Sequence, residues 1–131
     1  MKIKDKIGII TGATSGIGKG LVKRFAAEGA KGLVLADING DGVKTATNSL
    51  GATGMACDVR NEDQVQFLVA TAERVYWPVD IFCSNVGILR LGDENQPDEE
   101  ILDSFQINTV AHIYAARAAH RGWRSAVAAA C

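Results

Sequence analysis

The chain has 131 residues, 47% apolar and 22% charged, with a formal net charge of −1. That length suffices for one globular domain, burying roughly two-thirds of its surface on folding, and falls short of two. A charge so near zero leaves no overall field to draw the molecule to nucleic acid or an anionic membrane, although the acids stop at Asp103 and Arg117, Arg121 and Arg124 follow.

The opening MKIKDKIGII has the lysines of a secretory leader, but its apolar run is too short and leads straight into turn residues. It reads as a buried strand over 6–11, KIGIIT. The spacing then changes: Ile17, Leu21 and Phe25 recur every four residues, which predicts a helix from Ile17 to about Glu28, stopped by Gly29. GLVLAD (32–37) is a second buried strand ending on an acid. Residues 40–50 form a weaker helix with Val43, Ala46 and Leu50 on one face. GMACDV (54–59) is a third strand. Val65, Leu68, Val69, Ala72 and Tyr76 have the period of an amphipathic helix, ended by Pro78. VDIFCSN (79–85) is a fourth strand. After a loop around Gly87 and Gly92, Asp98 is expected to cap a long helix with Leu102, Phe105, Thr109, Ile113 and Ala116 as its inner face. Asp98, Glu99 and Glu100 complement the positive end of that helix's dipole. The closing RGWRSAVAAAC holds no fifth strand.

Four strand–helix alternations with crossovers of this length predict a parallel, doubly wound α/β sheet. No apolar stretch is long enough to span a membrane. Cys57, Cys83 and Cys131 are odd in number and lack C-x-x-C or zinc spacing. His112 and His120 have no partner at metal-ligand spacing, so no metal site is expected. These features together predict a reducing, cytoplasmic setting.

The segment TGATSGIG (11–18) sits between the first strand and the first helix. A helix start leaves backbone N–H groups without partners, and glycines let that backbone approach a diphosphate closely. The spacing excludes a P-loop, because five residues separate Gly12 from Gly18 and Lys19 is followed by Gly20. It also departs from G-x-G-x-x-G, since Leu21 stands at the last glycine position. The pattern is T-G-x-x-x-G-I-G.

This pattern resembles the short-chain dehydrogenase/reductase family, non-extended branch, over about Lys4 to Arg117. Gly12, Gly16 and Gly18 match its cofactor turn, with Thr11 bracing the turn and Ser15 and Ile17 within it. Asp37 stands where the family reads the adenosine ribose. Asp58-Val59 matches the pair at the adenine ring. Ser84-Asn85-Val86-Gly87 is a variant of its N-N-A-G stretch, with Asn85 and Gly87 as cofactor-side residues. Asn108 matches the asparagine of the catalytic tetrad.

The resemblance implies a Rossmann-type sheet, a nicotinamide cofactor, and hydride transfer with a small alcohol or carbonyl substrate. Asp37 implies NAD rather than NADP, because NADP-binding relatives usually carry a basic residue where this chain has Ser15 or Ile38-Asn39. The family's proton chemistry also needs a serine and a Tyr-x-x-x-Lys pair. Four residues after Tyr76 and Tyr114 stand Asp80 and Ala118, and the last lysine is Lys44. The expectation is therefore a cofactor-binding domain over 1–117, truncated after the fourth βα unit. Residues 118–131 are read as an atypical tail from truncation or a frameshift. Catalysis by this chain alone is not expected, and the rival reading is a non-catalytic dinucleotide-binding or interaction module. The fourth strand would be an open apolar edge, inviting homo-oligomers or strand pairing with another chain and leaving the isolated chain marginally stable.

Overall fold

In the computed structural model, which describes residues 2–130, four parallel strands alternate with helices. The elements are β1 (Ile7–Thr11), α1 (Gly16–Ala27), β2 (Gly32–Asp37), α2 (Gly40–Leu50), β3 (Thr53–Ala56), α3 (Glu62–Tyr76), β4 (Ile81–Cys83) and α4 (Asp98–Phe105). A π-helical turn (Gln106–Val110) joins α4 to α5 (Ala111–Ala130). Cys131 lies outside the described residues.

The strand order is β3-β2-β1-β4, so the direction of growth reverses beside β1. In such sheets the crevice at the carboxyl ends of the strands, at the reversal, is where ligands bind. Ile7, Gly8 and Ile9 of β1 pair with Gly32, Leu33 and Val34 of β2, and β4 pairs with β1 through Gly8–Ile81 and Ile9–Phe82. β4 is an edge, as expected.

The two central strands read as continuous apolar runs because both their faces are covered. Ile9 and Val34 pack with Val65, Leu68 and Ala72 of α3 and with Ala111 and Ala115 of α5. On the other face Ile10 and Leu35 pack with Val22 and Phe25 of α1 and Val43 of α2.

Three expectations need correction. Ile17 is 77% exposed, and α1 buries Gly18, Val22 and Phe25. The inner face is one residue out of step because Gly18 itself must press against the strand end. β3 and β4 are shorter than predicted, so Cys57, Asp58 and Val59 lie beyond the pairing, as do Ser84 and Asn85.

The largest difference is in the last helix. Its α4 segment starts after Pro97 at the N-cap, with Asp98 inside the first turn, and buries none of its residues. Leu102 and Phe105 are exposed, Ile113 is nearly half exposed, and the buried face is Ala111, Ala115, Ala118 and Ala119. The reason is steric. α3 presents bulky Val65, Leu68 and Val69, and alanines let α5 approach them closely. The π-helical turn adds to this by placing more residues in a turn than the period used to predict the face. α5 is further held by Trp123, whose indole N–H donates to the Val79 carbonyl at 3.0 Å, and by Arg117 paired with Glu62 at 3.5 Å.

Candidate functional site

A cleft of about 640 Å³ opens at the carboxyl ends of the strands, where the sheet order reverses. Gly12, Ser15, Gly16 and Ile17 line it from the first turn, Asp37 from β2, and Asp58 and Val59 from the end of β3. Asn85 and Gly87 line it from the loop after β4. Residues far apart in the sequence thus line one cleft. Thr11, Gly18 and Asn108 do not line the cleft; they sit behind it and shape it.

Gly18 shows how. A Cβ there would fall 1.9 Å from the Gly12 carbonyl oxygen and 2.8 Å from the Asn85 amide nitrogen. The start of α1 is folded directly onto the end of β1, and Gly12 makes the turn with φ of +65°, a conformation that glycine adopts without penalty. Ser15 at the N-cap forms no side-chain capping bond. Among the described residues no side chain caps the first turn of α1 at the edge of the cleft, where the positive end of the helix dipole lies.

Thr11 is almost wholly buried. Its hydroxyl donates to the Cys83 carbonyl at 3.3 Å and accepts the Asn85 N–H at 3.0 Å, and the Asn85 side-chain amide donates back to the Thr11 carbonyl at 3.1 Å. β1 is thereby tied to the loop after β4. The far side of that loop is held by Asn108, whose Oδ1 accepts the Ile88 N–H and whose Nδ2 donates to the Ile88 carbonyl, both at 2.8 Å.

Asp37 is fixed by its surroundings. Its Oδ2 accepts the Thr14 N–H at 3.0 Å and the Thr14 hydroxyl at 2.8 Å, and Oδ1 accepts the Asn39 N–H at 3.0 Å. These bonds leave Oδ1 with the freer lone pair for a further donor.

Two features of the site are not legible in the sequence. The first is an ion-pair chain along the cleft. Arg60 engages both Asp58 oxygens, Nε at 3.0 and 3.1 Å and Nη2 at 2.7 Å, and reaches Asp103 with Nη1 at 2.7 Å. Asp103 also pairs with Arg90. The Arg60 hydrogen bond holds the Asp58 carboxyl below the usual carboxylate range, and Arg60 with Arg90 does the same for Asp103. Arg60, Arg90 and Asp103 all line the cleft. The second is Ser84, whose hydroxyl lies 2.6 Å from His112 Nδ1. His112 follows Asn108 by four residues, so one helix grips both ends of the 84–88 loop. Nothing in local spacing announces the Arg60–Asp103 or the Ser84–His112 contact, because the partners are 43 and 28 residues apart in sequence.

Cys57 also lines the cleft. Burial, with the charge of Asp58 adding to it, pushes its thiol up to about 11, so it stays protonated at neutral pH. The Tyr114 hydroxyl accepts from the Gln106 amide, and Arg117 meets Glu62. Among the described residues no three His, Cys, Asp or Glu are placed to hold a metal ion, and no helix is long and apolar enough to cross a membrane.

Comparison with known proteins agrees with this geometry. The family model described as short chain dehydrogenase matches residues 6–129. The chain is 34% identical over 128 residues to 1-deoxy-11-beta-hydroxypentalenate dehydrogenase of Streptomyces exfoliatus, covering 90% of this chain and 46% of that protein. It is 38% identical over 107 residues to the oxidoreductase UcpA of Salmonella typhimurium, covering 78% and 40%. A short chain dehydrogenase/reductase of Burkholderia phymatum, solved in complex with NAD, superposes with a TM-score of 0.85 at 27% identity, covering 90% of this chain and 44% of that one. The chain thus spans less than half the length of these relatives.

Proposed function

The chain belongs to the short chain dehydrogenase family, and we propose that it supplies the NAD-binding half of an oxidoreductase acting on a small alcohol or carbonyl compound. The observation that carries this reading is the fold of the first turn. Gly18 is pressed onto Gly12 so tightly that no side chain fits, at a helix start whose N-cap Ser15 makes no side-chain capping bond. That is a cradle for a diphosphate, and the cleft volume is in the range of about 300–1,000 Å³ usual for small ligands and cofactors. The residues present fit the group.

In this reading Gly12, Ser15, Gly16, Ile17 and Gly18 hold the diphosphate through main-chain amides, and Thr11 keeps the turn in place. Asp37 accepts a hydroxyl of the adenosine ribose at Oδ1. Asp58 and Val59 flank the adenine end, and Asn85 and Gly87 form the wall toward the nicotinamide. The bound nicotinamide supplies the hydride chemistry. Asn108 holds the 84–88 loop in the shape that this wall requires.

Charge favours NAD over NADP. An extra phosphate beside Asp37 would meet a like charge; two unit charges about 4 Å apart repel by roughly 4 kcal/mol at an effective dielectric near 20, before screening. Among the described residues, the cations that line the cleft are Arg60 and Arg90, and both are already paired with Asp58 or Asp103. Neither is free to neutralise that phosphate.

Turnover needs a serine and a Tyr-x-x-x-Lys pair, and these 131 residues contain no lysine after Lys44. A tyrosine near its ordinary value of about 10 is a poor base at neutral pH without such a neighbour. That fact favours a second reading, a dinucleotide-binding module that performs no chemistry by itself. One experiment addresses both: titrate NADH by its fluorescence, then assay turnover with a panel of alcohols and ketones. Binding without turnover is the expected result. Turnover would refute the requirement for the missing pair, and an absence of NADH binding at millimolar concentration would refute the cofactor reading.

A further inference from the structure

We propose that Asp103, on α4, is a specificity-determining residue: by pairing with both arginines of the cleft it withholds their charge from the extra phosphate of NADP, and so adds to the preference for NAD. The inference rests on the cofactor reading above and deepens it.

Few charges line the cleft. Three carboxylates, Asp37, Asp58 and Asp103, stand against two guanidiniums, Arg60 and Arg90, so one negative charge is in excess. Asp103 is the acid that both arginines share. Its Oδ1 accepts from Arg60 Nη1 at 2.7 Å, and its Oδ2 accepts from Arg90 Nη2 at 2.5 Å. Arg60 has a second carboxylate, since its Nη2 donates to Asp58 at 2.7 Å. Arg90 forms no other ion pair among the described residues, so its charge is answered by Asp103 alone. None of the eight residues of α4 is buried, so what Asp103 brings to the cleft is charge and not packing.

An ion pair largely cancels its own field at a distance, whereas half of one does not. Removing the carboxylate of Asp103 uncovers the charge of Arg90 and makes the cleft neutral. Removing Arg90 uncovers the charge of Asp103 and doubles the negative excess. NADH and NADPH differ by the 2′-phosphate, which as a phosphate monoester carries about −1.5 to −2 near neutral pH. The ratio of their affinities therefore isolates the effect of the cleft's charge on that one group. Across roughly 10 Å in water-like surroundings, one unit of charge alters the ratio about threefold to tenfold at low salt.

The test titrates NADH and NADPH by nicotinamide fluorescence against the full chain, Asp103→Asn, Arg90→Gln and the double variant. The titrations are run at about 0.01 M and about 1 M salt, where the screening length is about 30 Å and about 3 Å. At low salt Asp103→Asn should lower the preference for NADH about threefold to tenfold, and Arg90→Gln should raise it by a similar factor. The double variant should return it to within about twofold of the unaltered chain, and about 1 M salt should erase the shifts of both single variants. Loosening of α4 or of the loop after β4 would move both single variants the same way, so shifts of one sign would overturn the proposal. An unchanged ratio in both single variants, or shifts that persist at high salt, would overturn it as well. If Asp103→Asn does not fold, Arg90→Gln alone still decides, because its shift must be toward NADH. Dinucleotide binding without these shifts defeats this inference alone; no binding of either dinucleotide to the unaltered chain defeats the cofactor reading and this inference with it.

Discussion

Gly18 and Gly20 lie two residues apart on α1, yet alanine at each should have opposite effects. At position 18 the new Cβ would sit 1.9 Å from the Gly12 carbonyl oxygen, and real Cβ contacts under 3.0 Å essentially do not occur, so the turn must open by about 1.1 Å. The obstacle is main chain, which cannot rotate away. Overpacking usually costs about 1–3 kcal/mol, and a rigid obstacle puts Gly18→Ala at about 3 kcal/mol or more. At position 20 a Cβ meets nothing within 4 Å. There the gain in helix propensity and the loss of freedom in the unfolded chain should stabilise by about 0.5–1 kcal/mol. For a chain of this size, Gly18→Ala should lower the midpoint of thermal unfolding by about 10 °C, and Gly20→Ala should raise it by about 2–4 °C. NADH affinity should fall about tenfold or more in Gly18→Ala, because hydrogen bonds from main-chain N–H groups, worth roughly 1 kcal/mol each, lose their geometry. Gly20→Ala should leave it unchanged. Circular dichroism melts and fluorescence titration read both quantities. If Gly18→Ala melts with the unaltered chain and binds NADH equally well, the close approach of α1 to β1 is not what builds the cradle.

The polar contacts give three more tests. Burial opposes ionisation of Asp80, but hydrogen bonds from Lys6 and the Ile7 N–H outweigh it and hold the carboxyl below its usual range. Its folded value is depressed, so its stabilisation is complete above the unfolded value of about 4 and is lost as pH falls through the folded one. Urea titrations from pH 7 to pH 3 should show a shallower acid loss for Asp80→Asn than for the unaltered chain. Cys57, with its thiol pushed up to about 11 and nearly no exposure, should resist iodoacetamide at pH 8 until the chain unfolds, as peptide mass mapping would reveal. Ser84→Ala and His112→Phe should be non-additive in stability by about 1 kcal/mol, the worth of one half-buried hydrogen bond, in a double-mutant cycle.

Local chemistry makes much of this protein legible in its amino-acid order alone. Ile-rich runs between turn residues announce strands, the four-residue recurrence in 65–76 announces α3 and its buried face, and the glycine turn announces a helix start. Asp37 can be placed at the tip of β2 because a parallel strand ends where its apolar run ends. Each of these depends on neighbours within a few residues, which the chain order itself supplies. Tertiary packing decided the rest. Which side of α5 is buried depends on how closely α3 approaches, and that contest went to alanines over the larger Leu102, Phe105 and Ile113. The bridge from Arg60 to Asp103 and the grip of Ser84 by His112 arise from which distant side chains the fold brings together, and no local period encodes a meeting of that kind.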